Sequence, residues 1–162
     1  MISSPLPVRL GPEHLPALLA FEQAANDDAW SVPLLRAALA DADYDVWALW
    51  ETDKALCAVA IVAHLPFDAE LQSICVLPSV RRRGVAARLL AWVLDQAERR
   101  GAERLLLELR ESNTAARRLY ERQGFTFDGQ RRGYYRRADG GSEDAILMSR
   151  CLNEYLNDSL DT

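Results

Sequence analysis

Val76-Leu77-Pro78-Ser79-Val80-Arg81-Arg82-Arg83-Gly84-Val85-Ala86-Ala87-Arg88-Leu89-Leu90 joins an apolar strand to an amphipathic helix through a basic turn that contains one glycine. The first backbone N–H groups of a helix have no partner within it, and the aligned peptide dipoles leave roughly half a positive charge there. A pyrophosphate can therefore be held by main chain at such a turn, and Gly84 and Ala86 leave its approach unobstructed. The turn has neither the G-x-G-x-x-G spacing of a dinucleotide fold nor the G-x-x-x-x-G-K-[ST] of a nucleotide-phosphate loop, which excludes both. Taken alone, Arg-x-x-Gly-x-Ala is equally compatible with a solvated basic helix start.

Working outward, Val85, Leu89, Val93 and Ala97 recur every four residues until Gly101, which predicts the main helix. Upstream, Glu70 to Val76 reads as the strand that feeds the turn. Asp45 to Trp50 and Ala55 to Ala63 read as a hairpin around the polar Glu51-Thr52-Asp53-Lys54. Pro12 with Leu15, Leu18 and Leu19 predicts a first helix, and Ser31 caps a second that presents Leu34, Leu35, Ala38 and Leu39. Downstream, Arg104 to Arg110 is a strand and Asn113 caps a short helix that ends at Gly124. Phe125 to Arg136 and Glu143 to Arg150 form a last antiparallel pair across Ala138-Asp139-Gly140-Gly141-Ser142. Two helices, three strands, helix, strand, helix and two strands make an α/β domain with a single mixed, mostly antiparallel sheet flanked by helices. Residues 1–152 are expected to form one domain and residues 153–162 a frayed polar tail.

The chain has 162 residues, 49% of them hydrophobic, enough for one substantial core. Its net charge of −5 argues against direct binding of nucleic acid and suits a cationic amine or a basic protein partner. Cys57, Cys75 and Cys151 are odd in number and widely spaced, so neither a disulfide framework nor a zinc site is expected. His14 and His64 stand too far apart to suggest a metal pair or a dyad, and surface or capping roles are expected for them. No signal-peptide run and no stretch of ~20 apolar residues is present, so a cytoplasmic protein off the membrane is expected, as a monomer or weak dimer.

With that order in hand, the chain resembles the GNAT acyl-CoA-dependent N-acetyltransferases, and among them the ribosomal-protein-alanine N-acetyltransferases of the RimI type. The resemblance spans about residues 8–150 and is carried by several stretches. Asp68-Ala69-Glu70-Leu71 runs into Ile74-Cys75-Val76 and the turn from Arg81 to Ala86. Leu107-Glu108-Leu109-Arg110 then leads to Ser112-Asn113-Thr114-Ala115-Ala116 and Tyr120-Glu121-Arg122-Gln123-Gly124-Phe125, and Arg131-Arg132-Gly133-Tyr134-Tyr135 and Glu143-Asp144-Ala145-Ile146 follow. It implies the GNAT fold, with acetyl-CoA as cosubstrate in a cleft where the strand at Ser73 to Val76 splays from that at Leu105 to Leu109. The pyrophosphate would lie on Arg81, Arg82, Arg83, Gly84, Val85 and Ala86, and the pantetheine arm along Ile74, Cys75 and Val76, with an N–H there facing the thioester oxygen. No metal is implied.

Glu108 sits between Leu107 and Leu109 in an apolar strand, where partial removal from water suits a carboxylate to accept a proton. From the residues alone it reads rather as half of a structural ion pair with an arginine; the resemblance reverses that and makes it the general base. Tyr120, four residues after Ala116, can turn inward, either as packing or, as the resemblance implies, as the acid that protonates the departing thiolate. Asn113 is a helix cap that can also touch CoA. Cys75 is expected to be a small buried strand residue, although its place near the thioester leaves an acetyl-cysteine open. By the resemblance, Trp30, Tyr134 and Tyr135 border the acceptor pocket, with core packing the other reading for Trp30.

An attacking amine must be neutral. The α-amino group titrates near pH 8 and lysine near 10.4, a gap of about 2.5 units or roughly 3.4 kcal/mol of added deprotonation cost. A single carboxylate handles the first more easily, and the resemblance implies as acceptor the N-terminal alanine of small-subunit ribosomal protein eighteen. Another amine, on a small molecule or a protein lysine, is the alternative, as is an acetyl-CoA-binding module without catalysis. Against the family pattern, Ala29 stands where proline is usual, Ala86 where glycine is frequent and Gly133 where a larger polar residue is common. The first and third flank the acceptor pocket, so they bear on peptide preference rather than on acetyl-CoA.

Overall fold

The alternating side chains of the central strands serve two helical layers, and this division organises the molecule. The computed structural model describes residues 5–153. Its strands are β1 (Val8–Arg9), β2 (Tyr44–Trp50), β3 (Leu56–His64), β4 (Ala69–Val76), β5 (Arg104–Arg110), β6 (Thr126–Arg136) and β7 (Ser142–Cys151). The helices are α1 (Leu15–Ala25), α2 (Val32–Ala40), α3 (Val85–Arg99) and α4 (Thr114–Arg122). The sheet order is β1-β2-β3-β4-β5-β7-β6, antiparallel throughout except between β4 and β5. On β3, Val59 and Ile61 join Leu18, Phe21, Leu35 and Leu39 of α1 and α2. Ala58, Ala60 and Val62 turn the other way onto Leu89, Leu90 and Val93 of α3, in the cluster that also takes Tyr120 of α4. A strand buried on both faces gives an unbroken apolar run, which is how β3 reads in the sequence.

The expected elements all form, with ends displaced by a residue at most sites. The polar turn closes the β2–β3 hairpin through the N–H of Glu51 to the carbonyl of Ala55 at 2.8 Å. Ser31 Oγ accepts from the Leu34 N–H at 3.4 Å, and Asn113 Oδ1 accepts from the Ala116 N–H at 3.1 Å, so both expected caps are made. Gly101 and Gly124 end α3 and α4 at φ 92° and 85°, a conformation that costs a side chain but not glycine. Beyond the expectation lie the two-residue β1, which pairs Val8 with Ala48 and Arg9 with Trp47, and 3-10 turns at Pro12–His14 and Pro78–Val80. Of the expected polar tail, residues 154–162 lie outside the described residues.

One irregularity shapes the centre. β3 opposes Ile61 to Ser73 and Val62 to Leu71, so Gln72 is an extra residue in β4, a β-bulge. β4 and β5 pair only at Ala69, Glu70 and Leu71 against Leu105, Leu106 and Leu107. Past the bulge they part, β5 continues along β7, and Ser73 to Val76 keep a strand partner on the β3 side alone.

Candidate active site

The parted strands open a cleft of about 1200 Å³. One wall is Ile74, Cys75 and Val76 of β4, and the floor is the turn at Arg81, Arg82 and Gly84 with Val85 and Ala86 of α3. Asn113 and Tyr120 close the far side. In the turn, Arg82 and Gly84 both have positive φ, 63° and 74°, and Gly84 is the N-cap of α3 without a capping side chain. Such alternating conformations aim successive N–H groups into one concavity and add to the helix-end charge, a geometry that favours an anion. The three arginines divide. Arg81 gives Nε to the Val76 carbonyl at 3.1 Å and Nη2 to the Ala25 carbonyl at 3.1 Å, bracing the end of β4 against α1. Arg82 lines the cleft, and Arg83 is exposed outside its lining.

Glu108 and Tyr120 approach this gap from opposite faces of the sheet. Leu107 and Leu109 point into the core beneath α3, so Glu108 between them faces the side that carries α1 and α2. Tyr120 belongs to the α3-side cluster and is 7% exposed, its ring tilted on Phe125 at 5.6 Å between centroids. Burial, then the neighbouring Cys75 and Tyr135, push its phenol well above the ordinary range, so at neutral pH it holds its proton and can only donate. Tyr135 connects the two: burial and then the Glu108 charge raise its phenol, and it counts among the groups that raise Tyr120.

On the α1/α2 face, Glu108 has company that the sequence reading left unassigned. Its Oε1 lies 3.3 Å from Nη2 of Arg131, so the ion pair left open for it is made. Glu70, on the neighbouring strand, has its carboxyl raised by burial and then by Glu108, against a lowering by Arg131. It carries the same signal as Glu108, a carboxylate flanked by apolar strand residues, Ala69 and Leu71. Arg110, next on that face of β5, holds the mouth together. It donates to both carboxylate oxygens of Asp28 at 3.1 to 3.2 Å, to Glu143 Oε1 at 3.1 Å and to the Arg136 carbonyl at 3.0 Å, and lies 4.6 Å above the Tyr135 ring. Nothing local marks it, because its partners lie 82 and 33 residues away in sequence.

The loop carrying Asp28 is set from within. Glu22, 1% exposed on α1, accepts from Asn26 Nδ2 at 3.0 Å and from the Trp30 N–H at 3.1 Å. Trp30 itself packs on the α1/α2 core, while Tyr134 is 52% exposed and stands edge-on to Tyr135 at 5.0 Å. These three aromatics lie outside the cleft lining, on the Glu108 side. Burial chiefly pushes the Cys75 thiol up, with Ser73 Oγ 3.8 Å from its sulfur, which keeps it a thiol and a poor nucleophile. All three cysteines are free. His14 Nδ1 accepts from the Gly11 N–H at 2.9 Å, a local capping contact, whereas His64 is not a surface residue but is bonded to Asp45 at 2.7 Å. Among the described residues no cluster of three or more His, Cys, Asp or Glu could hold a metal ion, and no helix is long and apolar enough to cross a membrane.

A mixed sheet parted over the start of its main helix, with a carboxylate on one face and a protonated phenol on the other, defines an N-acyltransferase architecture. Residues 15–125 match the Acetyltransferase (GNAT) family, and the chain belongs to that family, whose members use acetyl-CoA. The ribosomal protein bS18-alanine N-acetyltransferase of Escherichia coli (strain K12) is 38% identical over 135 residues, 83% of this chain and 89% of that protein. The protein of the same name from Haemophilus ducreyi is 36% identical over 135 residues, 83% and 92% of the two chains. The crystal structure of the ribosomal-protein-S18-alanine N-acetyltransferase from Escherichia coli matches with a TM-score of 0.84 at 35% identity, covering 91% of this chain and 93% of that one.

Proposed function

We propose that this acetyltransferase moves acetyl from acetyl-CoA to the N-terminal alanine of small-subunit ribosomal protein bS18, by direct transfer between the two faces of the sheet. The observation that carries the reading is the placing of Tyr120 in the cleft lining and of Glu108 just past the last β4–β5 pair, Leu71 with Leu107, on the opposite face of the sheet. The cleft side takes the cosubstrate: the turn at Arg82 to Ala86 holds the pyrophosphate, and backbone groups of Ile74, Cys75 and Val76, unpaired on the β5 side, take the pantetheine arm as an added strand would. A free N–H there stabilises the oxyanion. The acceptor enters on the other face, between the Asp28 loop and the β6–β7 hairpin that Arg110 ties together. Glu108, through water, takes the proton of the α-ammonium, and the free amine attacks the thioester carbonyl. As the carbon–sulfur bond breaks, Tyr120 gives its proton to the leaving sulfur, the second proton of the attacking nitrogen passes through water to the Tyr120 phenolate, and Glu108 releases its proton to solvent, which leaves acetylated peptide, CoA and both residues as they began. The residues 1–152 act as one cytoplasmic domain, monomeric or weakly dimeric.

The test is incubation with acetyl-CoA and a peptide beginning Ala-Arg, beside the same peptide with its N-terminus blocked and a lysine free, followed by mass. Acetylation confined to the free α-amine is expected. Transfer to the lysine alone, or to neither peptide while acetyl-CoA binds, overturns the acceptor assignment.

A further inference from the structure

The contact between Glu108 and Arg131 is unusual for a proposed base, because a permanent cation sits on one oxygen of the carboxylate that must accept a proton. Arg131 pairs with Ala145 of β7, which pairs with Arg110 of β5, so its side chain leaves the sheet on the same face as Glu108. To meet Glu108 it reaches back across β7 over the row Glu108, Leu147 and Gly129, where the glycine presents no side chain in its path. Its guanidinium also lowers Glu70, so one cation answers two carboxylates on neighbouring strands.

The pair is built to open. Arg131 is 55% exposed against 22% for Glu108, and the contact is a single one at 3.3 Å. Arg131 belongs to the sheet's edge strand, and β6 slips register between Arg131 and Tyr135, with Gly133 at φ 61° in the slip. The guanidinium already lies over the exposed Tyr134 ring, 5.4 Å from its centroid, a contact that does not depend on Glu108. Exposed pairs of this kind are weak and exchange readily.

We propose that Arg131 is a positioning residue that stands in for the acceptor's ammonium between Glu70 and Glu108 and is displaced by it, so that only an amine able to compete for both carboxylates reaches the β4–β5 gap. This rests on the acceptor side assigned above. While the acceptor is absent, Arg131 is paired with Glu108 and its charge opposes the rise that burial and Glu108 impose on Glu70. When an ammonium arrives, the guanidinium lets go of Glu108 while keeping its place over Tyr134, and the amine takes over the carboxylate contact, after which Glu108 takes its proton.

The experiment is a binding titration at neutral pH with CoA lacking the acetyl group, so that nothing turns over, on the wild type, Arg131→Gln and Arg131→Lys. The probes are the Ala-Arg peptide, the same peptide with a blocked α-amine and no lysine, the blocked peptide with a free lysine, and spermidine. Removing the competitor should tighten binding of the true amine about two- to five-fold in Arg131→Gln, leave Arg131→Lys close to wild type and leave the fully blocked peptide unchanged in all three. If the gain follows the lysine or spermidine instead, the competitor role stands and the α-amine reading falls. Equal or weaker binding of every amine by Arg131→Gln, or an equal gain for the fully blocked peptide, overturns it.

Discussion

Glu108→Gln keeps the shape of the side chain and removes its ability to accept a proton, so kcat for the Ala-Arg peptide should fall by about 10²- to 10⁴-fold while acetyl-CoA affinity holds. Steady-state kinetics beside a direct acetyl-CoA titration separate the two effects. Tyr120→Phe should likewise depress kcat and spare acetyl-CoA binding, since the ring packing on Phe125 survives and only the proton donor is lost. Because burial already holds the Tyr120 phenol far above neutrality, the wild-type rate should show no basic limb from this residue up to about pH 9. A basic limb in that range that vanishes in Tyr120→Phe would contradict its role as donor. Both residues stand out in the sequence by being the wrong kind for their surroundings, a carboxylate in an apolar strand and a tyrosine facing inward from a polar helix. Arg110, Arg131 and Asp28 do not, because at a strand end, on an edge strand or in a loop a charge is ordinary. Their meaning comes from partners that only the folded sheet brings within reach.

At the level of elements, apolar runs, helical periodicity, caps and turn residues were enough to place four helices and six of the seven strands, β6 among them by the turn at Ala138-Asp139-Gly140-Gly141-Ser142 rather than by any apolar run of its own. β1 escaped because two residues cannot show a period, and its pairing to β2 is set by tertiary contact. The Gln72 bulge escaped for a related reason: one extra residue in an otherwise regular strand leaves no compositional mark, although it is what marks the point where β4 leaves β5. The turn before α3 is the element where local geometry can be tested most directly. Gly84→Ala meets no atom within 4 Å, so its cost is backbone strain at φ 74°, about 1–2 kcal/mol. It should lower the thermal midpoint and weaken acetyl-CoA together, because relaxing the strain rotates the N–H groups away from the anion. Arg82→Gly works in the opposite direction on stability, relieving a non-glycine residue at φ 63°. It should raise the midpoint while acetyl-CoA binding falls through the lost charge, and a calorimetric scan with a binding titration reads both.

Over the whole molecule, the edge of the sheet remote from the cleft is joined by one carboxylate. Asp45 on β2 receives Arg9 of β1 at 2.8 Å, His64 at the end of β3 at 2.7 Å and Arg100 beyond α3 at 3.4 Å. Burial acts to raise its carboxyl, but the His64 hydrogen bond and the charges of His64, Arg9 and Arg100 outweigh it and hold the group below the usual carboxylate range. Arg9 and Arg100 are 53% and 40% exposed, so their share is small, whereas the Asp45 and His64 side chains are both under a tenth exposed. Asp45→Asn should therefore cost roughly 1.5–3 kcal/mol near neutral pH, the worth of one charge-assisted bond. The sign of its pH dependence follows from the depressed value. Between the folded and unfolded pKa values the unfolded chain binds more protons than the native one, so stability rises with pH there. The Asp45 contribution is fully present above roughly pH 3.9, the unfolded value, and is lost as pH falls through the folded one. Urea unfolding of wild type and Asp45→Asn, near neutrality and in steps below about pH 4, should show two curves that converge only at the acid end. A difference between them that instead grew on acidification would mean that Asp45 is no better stabilised as an anion in the fold than in the open chain.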